Sequence, residues 1–304
     1  LSKVASGVMF MAGAEKYLGL LYRGGALPSL VAPVSCSGAV SGSRSLVLFS
    51  GGKDSTAAAL RLRASSEVVL LFVAGINPAY PMEAESAKAV ASALGCRLAI
   101  VRVRARRGAY TENPTKNQAL LAIAAEVAQL YGASTIAAGI MAADRAAGLS
   151  FGCGYSDAIE MHSAAAEWME QTVQGLRVVR ASVQNDTDSL LEVADAGLLP
   201  LVGSCMATTR FRASLHQRNR AKYGVDLMPG RCGSCYKCAS EYLHLALTGR
   251  VAMNDGFARH CCDVLVRGAQ TVTGHKPASL AAALRVFIDP ERVSLSRLLP
   301  RSGP

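Results

Sequence analysis

The sequence predicts an α/β fold: a parallel sheet with helices on both faces, followed by a cysteine-rich helical region. Three observations predict it. Short, nearly continuous apolar runs alternate with helical patterns across residues 46–183, as strands buried on both faces do. Gly95, Gly132 and Gly175 each follow a helical stretch, at the position where a left-handed residue ends a helix. Six of the nine cysteines lie between Cys205 and Cys262.

Taken in order, residues 46–49 are the first strand, and a glycine turn leads from them into a helix over 55–63. Residues 68–73, rich in β-branched side chains, form the second strand. After Asn77 and Pro78 a helix covers 81–94, and a third strand follows at 97–103. A helix over about 116–131 precedes a fourth strand at 135–140, and a helix over about 159–173 precedes a strand at 176–183. The last third is less periodic and ends in a short helix near 279–286. The expected division is an N-terminal extension and linker over 1–43, a nucleotide-binding α/β domain over 44–200, and a zinc-binding helical region over 201–304.

Composition narrows the function. A chain of 304 residues that is 51% hydrophobic is not wholly disordered. It has no stretch of about 20 uncharged apolar residues to span a bilayer. The apolar residues near Lys3 are cut short by Glu15 and Lys16, so no secretory signal is read there and a cytoplasmic location is expected. An odd, unevenly spread cysteine set argues for reduced thiols or a metal rather than a disulfide framework. The net charge of +10 asks for an anionic partner. It is concentrated in two segments: residues 97–111 carry five basic and no acidic residues, and residues 196–240 carry seven basic and one acidic.

The first chemical motif is Ser50, Gly51, Gly52, Lys53, Asp54, Ser55 and Thr56, between the first strand and the first helix. Such a turn presents backbone N–H groups at a helix N-terminus, where the dipole favours an anion and glycine lets phosphate oxygens approach. Ser50, Ser55 and Thr56 add hydroxyls, and Asp54 can hold Mg²⁺ or cap the helix. The spacing is neither a Walker loop nor a dinucleotide fingerprint. The second motif is Cys232, Cys235 and Cys238, three thiols at a spacing that wraps one metal ion. Cys205 is the fourth candidate ligand, with Cys261, Cys262 and His260 in reserve. The ion is zinc, or the thiols hold an iron–sulfur cluster. Cys36, Cys96 and Cys153 read as buried or incidental.

The Ser-Gly-Gly-x-Asp-Ser loop after a first strand resembles the PP-loop family of ATP pyrophosphatases. That resemblance implies an adenine nucleotide α-hydrolase-like sheet. It also implies ATP and Mg²⁺ as cofactors, and an adenylated substrate from which a nucleophile displaces AMP. It puts Ser50, Lys53, Asp54 and Ser55 in catalytic roles, with Gly51, Gly52 and Thr56 completing the nucleotide contacts and the adenine near residues 71–74. Loop and cysteine cluster together are most similar to the 7-cyano-7-deazaguanine synthases of the queuosine pathway. In those enzymes a 7-deazaguanine carboxylate becomes an amide with ammonia and then a nitrile. Their structural Zn²⁺ site maps onto Cys205, Cys232, Cys235 and Cys238. Residues 116–118, 136–140 and the loop of Tyr155, Ser156 and Asp157 match more loosely. The 26 residues between Cys205 and Cys232, and residues 1–43, depart from that family's pattern.

Further candidates are positional. Arg102, Arg104, Arg106 and Arg107 leave the third strand, and its alternate side chains line one face. Asp144 and Arg145 follow the fourth strand at the end where open α/β sheets bind ligands. Arg102, Arg104 and Asp144 are therefore substrate candidates by position, and the resemblance adds Tyr155 and Asp157. His162 and the single tryptophan, Trp168, read as packing. The leading expectation is an ATP-dependent C–N ligase acting on a small carboxylate plus ammonia. The alternatives are a PP-loop tRNA thiolase with an iron–sulfur cluster, a related enzyme of DNA modification or antiviral defence, and a zinc-bearing nucleic-acid binder without catalysis. Expected partners are therefore the small acid, a nucleic acid or other macromolecule on the basic segments, and a second copy in a homodimer; no membrane.

Overall fold

A computed structural model describes residues 43–74, 82–102, 113–138, 166, 169–170, 175–180, 186–203, 205, 209–273 and 277–285. The N-terminal extension and the segments carrying Arg104, Arg106, Arg107, Asp144, Arg145, Tyr155, Asp157, His162 and Trp168 lie outside the described residues, as do Cys36 and Cys153.

The described strands are β1 (Arg44–Leu48), β2 (Glu67–Ala74), β3 (Arg97–Arg102), β4 (Thr135–Ala138) and β5 (Arg177–Arg180). The helices are α1 (Lys53–Leu62), α2 (Met82–Leu94), α3 (Asn113–Tyr131), α4 (Asp186–Asp195), α5 (Thr209–Tyr223), α6 (Tyr236–Leu247), α7 (Asp255–Thr273) and α8 (Leu280–Arg285). The strands form one sheet in the order β3-β2-β1-β4-β5, every neighbouring pair parallel.

Alternation along the strands makes the sheet two-sided. In β1 and β2, Leu46, Val69, Leu71 and Val73 face the core that α3 closes with Leu121, Ala124 and Ala128. Val47, Val68, Leu70 and Phe72 face the opposite core, closed by Ala57–Ala59 of α1, Ala87 and Val90 of α2, and Leu190 and Val193 of α4. The expected parallel sheet with helices on both faces is what the structure has. The chain winds from β1 outward through α1 and α2 on one face, then returns past β1 through α3 on the other. The order therefore reverses between β1 and β4, and in such sheets ligands bind at the carboxyl ends of the strands flanking that switch point.

Element bounds differ from the sequence reading in small, explicable ways. α1 begins at Lys53, two residues earlier than expected, because Gly52 takes the cap position in extended conformation. β2 continues to Ala74, three residues past Leu71, the partner of the last β1 residue, which leaves a step in the sheet beside the loop after β1.

The C-terminal helices build a third core from Tyr242, Leu243, Phe257, Cys261 and Leu265, with α6 packed on α7. It is not detached from the sheet. Leu245 of α6 sits in the core under α1 and α4, and Met228 and Val251 pack against both clusters. Among the described residues no helix is long and apolar enough to cross a membrane.

Candidate functional site

The glycine loop leaves the carboxyl end of β1 at the switch point. Gly51 takes φ +72°, and a Cβ there would stand 2.5 Å from the Ala87 backbone nitrogen and 2.8 Å from the Ser86 carbonyl carbon. Only glycine fits, both for conformation and for space. Gly52 caps α1 with no side-chain hydrogen bond, so the helix opens on bare backbone. The loop hydroxyls brace it from within: Ser55 Oγ donates to the Gly52 carbonyl at 3.1 Å, and Thr56 Oγ1 donates to the same carbonyl at 2.8 Å. The Gly52 N–H reaches Ser50 Oγ and the Ser50 N–H reaches Ser55 Oγ, both over longer contacts of 3.3 and 3.4 Å. Thr56 is fully buried. Lys53 is nearly so, and its ammonium lies 3.2 Å from the Asp54 carboxylate. Asp54 thus stands in the first helical turn paired to Lys53, and of its two expected roles the cap is taken by Gly52. Arg102, the one substrate candidate described, is exposed at the carboxyl end of β3, two strands or about 10 Å from β1.

Cys205, Cys232, Cys235 and Cys238 come together as expected, every sulfur within 4.8 Å of every other, and Cys232 and Cys238 at 3.9 Å. The local chain explains how. Gly233, at φ +70°, turns the backbone so that the Ser234 and Cys235 N–H groups both donate to Cys232 Sγ at 3.3 Å. Cys235 then caps α6, its sulfur accepting from the Cys238 N–H at 3.4 Å. Hydrogen bonds from Cys205, Cys232 and Cys238 hold the Cys235 thiol far below the ordinary thiol range, helped by its place at a helix N-terminus.

The sulfur spacing speaks to the ion. Four thiolates about 2.3 Å from one tetrahedral ion stand about 3.8 Å from one another. The four sulfurs, all within 4.8 Å of one another, are close enough to hold a metal. The reserve ligands are elsewhere. Cys261 and Cys262 are buried on α7, with burial pushing both thiols up. The His260 ring contacts the Gly233 carbonyl and Ser234 Oγ, not the sulfurs' common centre. Cys96 is partly exposed and apart from the cluster.

Around the cluster stand residues that the motif search passed over. Arg231 is fully buried and donates through Nε to Glu241 at 2.8 Å, and through Nη1 to the Val202 carbonyl at 2.5 Å. Asn219 of α5, also buried, donates to the Cys232 carbonyl and to Ser234 Oγ, both at 2.7 Å. His216 Nδ1 meets the Arg231 carbonyl at 2.8 Å. α5 is thereby pinned across the cysteine turn. Its other side is open: Arg218 and Lys222 are exposed, Phe211 is 63% exposed, and the helix holds no acidic residue, with Arg220 also exposed next to the His216 face. The signal for Arg231 was its position directly before Cys232; for Asn219 and His216 it was a three-residue helical spacing hidden in a run of charge.

No family model and no curated protein sequence matches the chain. The structure is similar to that of the U34-tRNA thiolase NcsA from Methanococcus maripaludis with its 4Fe-4S cluster, at 15% identity, over 84% of this chain and 80% of that one, with a TM-score of 0.38.

Proposed function

We propose that the chain is an ATP-dependent adenylating enzyme of the PP-loop type, located in the cytoplasm, that joins nitrogen to a small 7-deazaguanine-like carboxylate. The observation that carries this reading is the glycine loop, with its buried lysine, at the switch point of the sheet. What supports a triphosphate is the bare N-terminus of α1 behind Gly52, the loop hydroxyls, and a cation in Lys53. When bound, ATP supplies the phosphorus to which a substrate oxygen attaches. The protein's part is to hold the β- and γ-phosphates through Ser50, Gly51, Gly52, Ser55 and Thr56, and to balance the departing pyrophosphate with Lys53. Asp54, in the same turn, is the proposed Mg²⁺ ligand. The carboxylate oxygen displaces pyrophosphate, ammonia attacks the acyl carbon, and AMP leaves with the oxygen. Dehydration of the amide to a nitrile consumes a second activation. Arg102 is the proposed substrate contact within the described residues, and Arg104, Asp144, Tyr155 and Asp157 extend that proposal along the neighbouring loops. Zn²⁺ at Cys205, Cys232, Cys235 and Cys238 is structural in this reading, since four thiolates leave no open position for catalysis.

One observation favours a second reading, modification of a nucleic acid. The exposed side of α5 is basic, acid-free and carries an open aromatic ring, the combination that tracks phosphates and stacks on bases. The experiment is to follow pyrophosphate release from ATP and Mg²⁺ with ammonium and 7-carboxy-7-deazaguanine, and in parallel with transfer RNA and a sulfur donor. Nitrile in the mass spectrum supports the first reading; release only with RNA replaces it by the second. Asp54→Ala is expected to cut turnover at least ~100-fold, as loss of a metal-positioning carboxylate does. Full turnover in that variant would remove the loop assignment altogether.

A further inference from the structure

The phosphate loop and the cysteine cluster share a single peptide group. The N–H of Gly203 donates to the Gly51 carbonyl at 3.0 Å, and the carbonyl of the same peptide, on Val202, accepts from Arg231 Nη1 at 2.5 Å. Arg231 Nη1 also reaches the Leu199 carbonyl at 3.4 Å. Gly203 stands two residues before Cys205, and Arg231 one residue before Cys232, so each side of this peptide is tethered to a metal ligand. The peptide has no freedom to shift alone. A Cβ at Gly203 would stand 2.6 Å from Ser86 Oγ, and the Gly203 carbonyl lies 3.7 Å from the Cβ position of Gly52. Val202 is buried, and Glu241 holds the far side of the guanidinium.

We propose that Arg231 is a positioning residue for the phosphate loop: through the Val202–Gly203 peptide it fixes the Gly51 carbonyl, so that the cysteine cluster and the nucleotide site are preorganised as one unit. The inference rests on the nucleotide reading of the loop and extends it. A guanidinium polarising the Val202 carbonyl strengthens the N–H on the other side of that peptide, because hydrogen bonds in series reinforce one another. Preorganising the loop lowers the cost of ordering it around the triphosphate. Lysine in place of Arg231 keeps the charge opposite Glu241 but has no planar fork to span Glu241 and Val202 together.

The test measures equilibrium binding of Mg-ATP to wild type and to Arg231→Lys, together with metal content. Arg231→Lys is expected to keep its metal and to bind Mg-ATP about ten-fold more weakly, a change the size of one charge-assisted hydrogen bond. Equal affinity in a metal-loaded Arg231→Lys protein overturns the proposal while leaving the loop reading intact. Wild type that binds no Mg-ATP removes both. Should the variant not fold, hydrogen exchange on wild type decides. Residues 199–205 are expected to gain protection when Mg-ATP is added, and unchanged exchange there overturns the coupling.

Discussion

At the scale of the residue, two positions make the sharpest demands. Gly51 sits in the left-handed region against the α2 backbone, where a methyl group has no flexible neighbour to displace. Gly51→Ala is expected to cost at least about 1–3 kcal/mol in thermal unfolding and to abolish Mg-ATP binding; a normally stable variant that binds nucleotide would refute the cradle. His260 is the second. Burial, more than any neighbour, holds its pKa below the ordinary histidine value, and its ring stacks with Phe257 and leans on Tyr223. Folding therefore favours the neutral ring, so this stabilisation is complete above about pH 6.5 and is lost as pH falls through the lower folded-state value. Between pH 8 and 5, wild type is expected to lose more melting temperature than His260→Gln. Parallel curves would show that the ring contributes no pH dependence.

Among the elements, the glycine loop and its strand were legible because continuous apolar runs and glycine both act locally. Gly52 moved the start of α1 earlier than the helical pattern showed, because a cap is set by backbone conformation and not by periodicity. The fourth cysteine ligand was readable as a type but not by elimination. Cys205 won over Cys261 and Cys262 because α7 turns both of those thiols into its own core. Arg231 was invisible as anything more than a motif neighbour, since its partners Val202 and Leu199 are 29 and 32 residues away. α5 read as an inserted basic stretch, and the structure adds that one side is spent on the cysteine turn through His216 and Asn219. If nucleic acid is a substrate, Arg218→Gln with Lys222→Gln should weaken RNA binding and flatten the log-affinity against log-salt slope by roughly 0.7–0.9 per lost charge. An unchanged slope would retire α5 as the contact.

On the scale of the whole molecule, the strand order and the cysteine site answer each other. The sheet order was not readable from the sequence, since parallel pairing depends on crossovers and not on any local signal. It places the glycine loop where the segment after α4 returns, and that segment carries Cys205. The three cores also interlock, with Leu245, Met228 and Val251 bridging the sheet and the C-terminal helices. Removing metal with a chelator is therefore expected to lower the melting temperature of the entire chain in one transition. Two resolved transitions in calorimetry would show the C-terminal helices melting on their own.

The cysteine site also closes a long excursion of the chain. Between Cys205 and Cys232 lie 26 residues, including all of α5. A cross-link around a loop of this length removes about 3–4 kcal/mol of denatured-state entropy, and doubling the loop changes its closure cost by only about 0.6 kcal/mol. Closure entropy thus leaves the length of the segment weakly constrained, and its position is set by the cysteines at its ends and by the bonds of His216 and Asn219 within it. A change in what the protein docks against can therefore come from the exposed side of α5 alone, while Asn219 and His216 keep the cysteine turn beneath it in place.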